Sequence, residues 1–406
     1  MTADADAVLA LTTRLARALV AGSFEGTLLA ERRLRAVAAA YGQQAEVAVL
    51  PESATVALDG RTHVVTAIPA IPLLNRASAV KQWFADVTSG RSTIDQADRQ
   101  LAAIQQLPPP YGRMLKVLGV VLFSVGFGVS IQATWQQVVF TAVAGTLIGL
   151  LVVATDAWPR LRWIAPLIAS TVVAIAALAA TQHGWISGGP IPLLLPALFV
   201  YIPGDSITMA MLELSSGRAT AGAARFAQSL AALAVLAFGP VAALVLLDLP
   251  SSSLTDVSPA ATLGRVAGWL GWIVFTVGVL LVFGMRARDL PWALAVVLST
   301  YAVQLLAVRA VGDVAGTWFA AAAMTVLCWL LDRWPGSPPP YVMFLGAFFV
   351  LTPGSHGLRG LDSWIGGHPI QAVQSLTDML GLLAAIALGI LTAATIVPAP
   401  RTLISR

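Results

Sequence analysis

From residue 113 to near the C-terminus, long apolar runs alternate with short polar breaks. The first 110 residues instead mix apolar and charged positions at helix and strand spacing. About 20 apolar residues in a helix cross roughly 30 Å of hydrocarbon. Ten runs are candidates: 114–131, 135–154, 163–181, 190–202, 224–247, 266–284, 290–308, 314–331, 340–351 and 373–396. The fourth and ninth would reach only about 16–20 Å at 1.5 Å per residue. Each stops at Pro-Gly, in ALFVYIPGDSITMAML (Pro203-Gly204-Asp205) and in GAFFVLTPGSHGLRGL (Pro353-Gly354-Ser355). Each is expected to continue past its break as a second half-helix. Short, Pro/Gly-interrupted apolar segments at matching places in two halves of a membrane protein point to a transport site.

The two halves share more than the breaks. LGVVLFSVG at 118–126 aligns with LGWIVFTVG at 270–278, and Phe226-Ala-Gln-Ser-Leu230 resembles Ala372-Val-Gln-Ser-Leu376. Three matches in the same order, at nearly constant offset, read as a repeat of five spans. An odd repeat re-enters the membrane from the opposite side, so the halves are expected to be inverted about an in-plane axis, as in many secondary transporters. The fold expected is a mainly α membrane protein of ten transmembrane helices in two inverted five-helix repeats, with broken fourth and ninth helices, preceded by a small α+β soluble domain. The corresponding units are 1–110, 111–250 and 262–398.

In the first unit, 7–20 and 26–41 have helical spacing and are separated at Gly22-Ser23. Short β-like runs follow with an Asp59-Gly60 hairpin signal. Residues 75–89 and 93–106 return to helix, and Pro108-Pro109-Pro110 forms a stiff linker. The order is helix-helix-hairpin-helix-helix. His63 is its one histidine, its serines lack a G-x-S-x-G context, and the two lysines of the whole chain, Lys81 and Lys116, follow no Gly-rich turn. This argues against a hydrolase and against a self-contained ATP-driven pump, so the chain is not read as an enzyme.

Composition sharpens the division. Hydrophobic residues make up 57% of the chain and charged ones 11%, against about a quarter charged in average soluble proteins. The net charge of +4 is thinly spread and does not form a nucleic-acid footprint. Cys328 stands alone, so neither a disulfide framework nor a CxxC metal motif is present. Alternate loops hold Arg160, Arg162, Arg218, Arg225, Arg286, Arg288, Arg333, Arg401 and Arg406, against Arg265, Arg309 and Arg359. By the positive-inside rule both termini are expected to face the cytoplasm, in the cytoplasmic membrane.

Polar groups inside spans are costly and usually functional. Asp205 begins a half-helix whose free N–H groups can hold a carboxylate while its own side chain holds an ammonium; the alternative is that it caps that helix. Pro203, Gly204, Asp205, Ser206, Gln228, Pro353, Gly354, Ser355 and Gln374 are the candidate substrate contacts. Asp205, Glu213 and Asp378 are candidates for proton coupling. Glu213 could equally pair with Arg218 at the surface, and the Gln228-Ser229 and Gln374-Ser375 pairs could serve as interhelical glue. His356 is expected in a loop near the outer face. No metal site is expected.

These residues and this layout resemble the threonine/serine exporter family, carried by VYIPGDSITMAMLELSSGRATAGAARFAQSL and LTPGSHGLRGLDSWIGG. Nearly the whole chain takes part, with the N-terminal part like the family's first conserved region and residues from about 266 like its second. The family implies export of small neutral amino acids, threonine and serine, driven by the proton-motive force, without a cofactor. A basic, arginine-rich stretch common after the hairpin is replaced here by AIPAIPLLNRAS, which leaves the soluble domain's role undefined. The partners expected are the amino-acid substrate and the lipid bilayer, with self-association into a homo-oligomer left open. Export of another small organic solute, or a membrane-anchored sensor, are the competing readings.

Overall fold

The computed structural model describes the chain except for residues 1–3, 23–25, 68–72, 260–262, 265, 352 and 398–406. Ser23, Arg265, Arg401 and Arg406, used above, lie outside the described residues, as does the side chain of Pro353. The protein is mainly helical, with one small sheet near its N-terminus.

The N-terminal part contains α1 (Ala5–Gly22), α2 (Thr27–Ala40), β1 (Glu46–Leu50), β2 (Ser53–Leu58), β3 (Arg61–Thr66), α3 (Leu74–Thr88) and α4 (Ile94–Gln105). The strands form an antiparallel meander in the order β1-β2-β3, so the expected hairpin gains a third strand. Leu58 pairs with Arg61 across Asp59-Gly60, whose φ angles are 51° and 73°. Two left-handed residues are what a twisted two-residue turn requires. Leu50 pairs with Ser53 across Pro51-Glu52, a turn without glycine or asparagine. Strand β2 alternates half-buried and buried positions. Its inward Ala54, Val56 and Leu58 join Leu11, Leu15, Leu34, Trp83 and Leu101 in one apolar core. Thr93 and Gln96 close a reciprocal capping box on α4.

The apolar part contains α5 (Arg113–Ile131), α6 (Trp135–Ala157), α7 (Ala165–Gln182), α8 (Ile191–Leu198), α9 (Gly204–Ser215), α10 (Ala219–Leu246), α11 (Ala267–Val282), α12 (Leu290–Val311), α13 (Asp313–Asp332), α14 (Pro340–Phe348), α15 (Pro353–Ile365) and α16 (Pro369–Ile396). Eight helical stretches among the described residues are long and apolar enough to cross a bilayer, Pro340–Ile365 counted as one. The pair Ile191–Tyr201 and Gly204–Ser215, bent by 69°, makes a ninth if taken as one span. Helix α11, with 16 residues, reaches about 24 Å at 1.5 Å per residue. Every expected apolar run is thus a helix, and both half-helices past Pro-Gly are present.

Lipid-facing and buried stripes are visible on single helices. On α6, Val139, Val143, Leu147 and Leu150 are exposed, whereas Val138, Ala144, Ile148 and Val152 are buried. That spacing is the one-sided period of a helix between core and lipid. Exposed tryptophans mark the two ends of the bundle, with Trp158, Trp163 and Trp334 at one and Trp135, Trp185 and Trp364 at the other. Such belts sit at membrane–water interfaces.

Packing within the two halves is parallel in detail. Helices α5–α6, α6–α8, α7–α8, α7–α10 and α9–α10 touch, and so do α11–α12, α12–α14, α13–α14, α13–α16 and α15–α16. The halves meet through α5–α11, α9–α15, α9–α16 and α10–α15. At the α5–α11 crossing, a methyl on Gly126 would overlap the backbone nitrogen of Phe275, and one on Gly278 would overlap that of Phe123. The rings of Phe123 and Phe275 lie 4.5 Å apart, and Phe199 and Phe349 complete a buried quartet. Its remaining separations are 5.5 Å (Phe123–Phe199) against 5.7 Å (Phe275–Phe349), 5.4 Å (Phe123–Phe349) against 6.0 Å (Phe199–Phe275), and 5.4 Å for Phe199–Phe349.

Candidate functional site: a vestibule leading to the first helix break

The N-terminal part is fastened to one face of the bundle by α2 and α3. The backbone N–H groups of Leu74 and Asn75 donate to the carbonyls of Phe283 and Gly284 just beyond α11, at 2.8 and 3.0 Å. Ser78 Oγ donates to Asp289 Oδ2 at 3.0 Å. Lys81 Nζ reaches Asp332 Oδ1 at 2.5 Å and the Ser337 carbonyl at 3.1 Å. Arg218 grips Glu31 with both terminal nitrogens, at 2.8 and 2.6 Å. Glu31 is 2% exposed, and a planar bidentate pair suits that confinement.

Glu213 lies between the two parts. Its Oε1 accepts from the Thr27 backbone N–H at 2.9 Å, and its Oε2 accepts from Arg225 Nε at 3.1 Å. The carboxylate therefore sits at the N-terminus of α2, where free N–H groups favour an anion. The expected partner Arg218 is replaced by Arg225, because Arg218 is committed to Glu31. Arg225 itself belongs to α10 and is buried, not in a loop.

Beside these contacts opens a cavity of about 430 Å³ lined by α2, α3, α9, α13, α14 and α16. Its walls are apolar at Phe84, Trp329 and Phe344, and Arg32, Lys81 and Asp332 also line it. The volume falls in the range of small-molecule sites, about 300–1,000 Å³. It adjoins a chamber of about 30 Å³ that holds Asp205 and Thr208, and the two share Met209, Leu212, Tyr341, Phe344 and Ile390. The chamber has room for about one water. Thr208 Oγ1 is buried with no hydrogen-bond partner among the described residues. Beyond the break, Gly204 and Gly354 bring the two half-helix starts together, since a methyl on Gly354 would lie 2.9 Å from Gly204 Cα. A separate cavity of about 480 Å³ opens elsewhere between α5, α11 and α12, with Gln132, Tyr301 and Arg309 in its lining.

Asp205 is half-buried in the first turn of α9, with the backbone N–H groups of Asp205 and Ser206 against its carboxylate. The cap position belongs to Pro203, and no side chain caps the helix. Gly354 and Ser355 are buried in the first turn of α15, opposite Gly204. The predicted residues at the two breaks thus come together. Gln228, Gln374 and Asp378 do not join them, because all three side chains are exposed on the outside of α10 and α16. Ser229 Oγ donates to the Arg225 carbonyl on its own helix instead of bridging two helices. His356, expected in a loop, lies in α15, half-buried and within electrostatic reach of Asp378, Asp313 and Asp256. Thr208, Glu31 and the Lys81–Asp332 pair are additions. Thr208 has a legible signal, as a hydroxyl one turn past Asp205 on the same helix face. Among the described residues no three metal-ligating side chains converge.

Residues 10–247, from α1 through α10, match the ThrE family model, described as "Putative threonine/serine exporter". The chain belongs to the threonine/serine exporter family. The match takes in the N-terminal part, the vestibule residues of α2, α3 and α9, and the first break; residues beyond 247 lie outside it. No curated protein and no solved structure matches the chain significantly. Membership makes the protein a multi-pass membrane transporter.

Proposed function

We propose that this protein is a secondary exporter of small neutral amino acids, threonine and serine, exchanging them for protons by alternating access around the two breaks. The observation that carries the reading is the vestibule beside the N-terminal domain, which shares a wall with the chamber at Asp205 and is closed beyond it by the Gly204–Gly354 contact and the phenylalanine quartet. An amino acid enters from the N-terminal-domain side. Its ammonium meets the Asp205 carboxylate and its side-chain hydroxyl meets Thr208, while N–H groups at a half-helix start face its carboxylate. A chamber of about 30 Å³ cannot hold an amino acid, so loading requires α9 and α14 to part, which couples binding to movement.

The ten-span, inverted arrangement is part of this proposal. Its support is the reciprocal packing of Gly126 on Phe275 and Gly278 on Phe123, the paired distances in the quartet, and the helix contacts that recur in both halves. Reciprocal contacts of this kind are what a two-fold relation generates. The cytoplasmic placement of the N-terminal domain rests on charge. Arg160, Arg162, Arg218, Arg286, Arg288 and Arg333 are on its side, and the opposite side shows Arg309 and Arg359 among the described residues. The units 1–110, 111–250 and 262–398 follow from the same arrangement.

Counterflow of labelled threonine in proteoliposomes, with and without a pH gradient, tests the reading. Saturable exchange that responds to the gradient is expected. Absence of flux for every small neutral amino acid would end it.

A further inference from the structure

Five carboxyl groups are buried among the described residues, at Glu31, Glu213, Asp289, Asp332 and Asp362. Four hold a cation: Arg218 on Glu31, Arg225 on Glu213, Arg286 on Asp289 and Lys81 on Asp332. Asp362, in α15, is the exception. It has no exposed surface, and neither oxygen has a hydrogen-bond partner. The neighbouring Ser363 Oγ is likewise buried and unpartnered.

Among the described residues of the helices around it, no arginine or lysine is free to pair with it, and His368, six residues on, makes no hydrogen bond to it, its Nε2 being buried and without a partner. The helices packed on α15 are α16, α10, α9 and α8. They carry Asp378 on an exposed face, Arg225 committed to Glu213, Asp205 and Glu213 toward the vestibule, and no charge on α8. On α15 itself, His356 lies nearly two turns away, and Arg359 pairs with Asp256 at 3.2 Å. Asp256 is the charged group that acts on Asp362, and its sign is repulsive. A buried ionised carboxylate with neither donor nor counter-ion is far costlier than the neutral acid.

We propose that Asp362 is the proton-carrying carboxyl of the export cycle. This rests on the proton coupling proposed above. In the conformation seen here the side chain holds an O–H bond. The proton comes from water on the face opposite the N-terminal domain, when that side is open. It returns to water on the N-terminal-domain side when the Gly204–Gly354 contact parts. One proton is taken up and one released per cycle, with no other bond changed.

The test pairs two measurements on the full-length protein, the parent against Asp362→Asn and Asp362→Glu. In proteoliposomes, Asp362→Asn is expected to keep threonine counterflow at equal pH and to lose accumulation driven by a pH gradient, and Asp362→Glu to recover it. Infrared spectra of the purified protein at neutral pH are expected to show a protonated carboxyl band that Asp362→Asn removes and Asp362→Glu shifts. Gradient-driven accumulation by Asp362→Asn, or an unchanged carboxyl band, would overturn the assignment. A parent protein that moves no threonine would refute the exporter reading instead, and the infrared band would still decide the state of Asp362. Should Asp362→Asn fail to fold, the shift of the band in Asp362→Glu decides it.

Discussion

Replacing Gly126 or Gly278 by alanine tests the two-fold crossing of α5 and α11 most directly. Each glycine lies one turn from the phenylalanine of its own helix and against the backbone of the other's, Gly126 on Phe275 and Gly278 on Phe123. An added methyl would overlap a backbone nitrogen, which cannot rotate away as a side chain can. The helices must separate by roughly 1 Å to restore ordinary contact, and a gap of 0.5–1 Å forfeits about a quarter to a half of each dispersion well along the seam. Phe123, Phe127, Trp272, Phe275 and Val279 are all buried there. Overpacking of this kind costs about 1–3 kcal/mol per substitution. At about 2–4 °C per kcal/mol, each variant should melt about 2–10 °C below the parent protein.

The two glycines also share one remedy. Separation that accommodates the first methyl makes room for the second, so the double variant should lose less than the sum, by about 0.5 kcal/mol or more. Gly22→Ala is the control, since among the described residues nothing lies within 4 Å of a methyl there; it should be neutral or gain up to about 1 kcal/mol. Melting curves in detergent, followed by tryptophan fluorescence, provide the comparison. If Gly126→Ala is tolerated while Gly278→Ala is not, or if both melt like the parent, the reciprocal crossing is refuted.

Three further outcomes follow from the site. Arg218→Ala leaves the buried Glu31 with Arg35 at 3.3 Å and the Val49 backbone N–H at 3.2 Å; breaking such a pair costs about 3–5 kcal/mol, to be read as loss of hydrogen-exchange protection in α2, and unchanged protection would show the clasp to be incidental. Thr208→Val keeps the shape of the side chain and removes its hydroxyl, so KM for threonine should rise at unchanged melting temperature; unchanged KM would remove Thr208 from the substrate site. In a Cys328→Ala background, Leu212→Cys should react with a polar thiol reagent applied from the N-terminal-domain side, and threonine should slow that reaction. Labelling from the opposite side alone would place the vestibule on the wrong face.

Much of the fold was legible because a bilayer imposes length and apolarity on every crossing element. The helices lie where the apolar runs do, and Pro203-Gly204 and Pro353-Gly354 mark the ends of two of them for a local reason: proline removes a backbone donor and clashes with the preceding turn. The third strand was less visible, since Pro51-Glu52 lacks the residues that favour left-handed turns. Partnerships were the least legible. Glu213 has Arg218 five residues on and Arg225 twelve on, and the choice between them is made by Glu31, 187 residues from Arg218. Depth along a helix is readable by counting, but the face a residue presents is set by its neighbours. That is why Asp378, correctly placed in the tenth apolar run, is exposed.

Asp362 illustrates the same rule in reverse. It stands in the half-helix expected past Pro353-Gly354, where nothing in the sequence marks which face is buried, and only the surrounding α8, α9, α10 and α16 make it interior. Its position alters how the asymmetry between the breaks is understood. Asp205 at the first break faces Ser355 at the second, so the backbones correspond and the charges do not. On the second half-helix the carboxyl lies nine residues past Pro353, about 13 Å along the axis, on the far side of the Gly204–Gly354 contact from the vestibule. An exchanger can couple an ammonium to a proton by letting both compete for one carboxyl or by holding them on two carboxyls, and the separation of Asp205 from Asp362 fits the second scheme. With Asp205 in the chamber beside the vestibule and Asp362 sealed behind the glycine contact, each half-helix past a Pro-Gly break would supply one of the two positions.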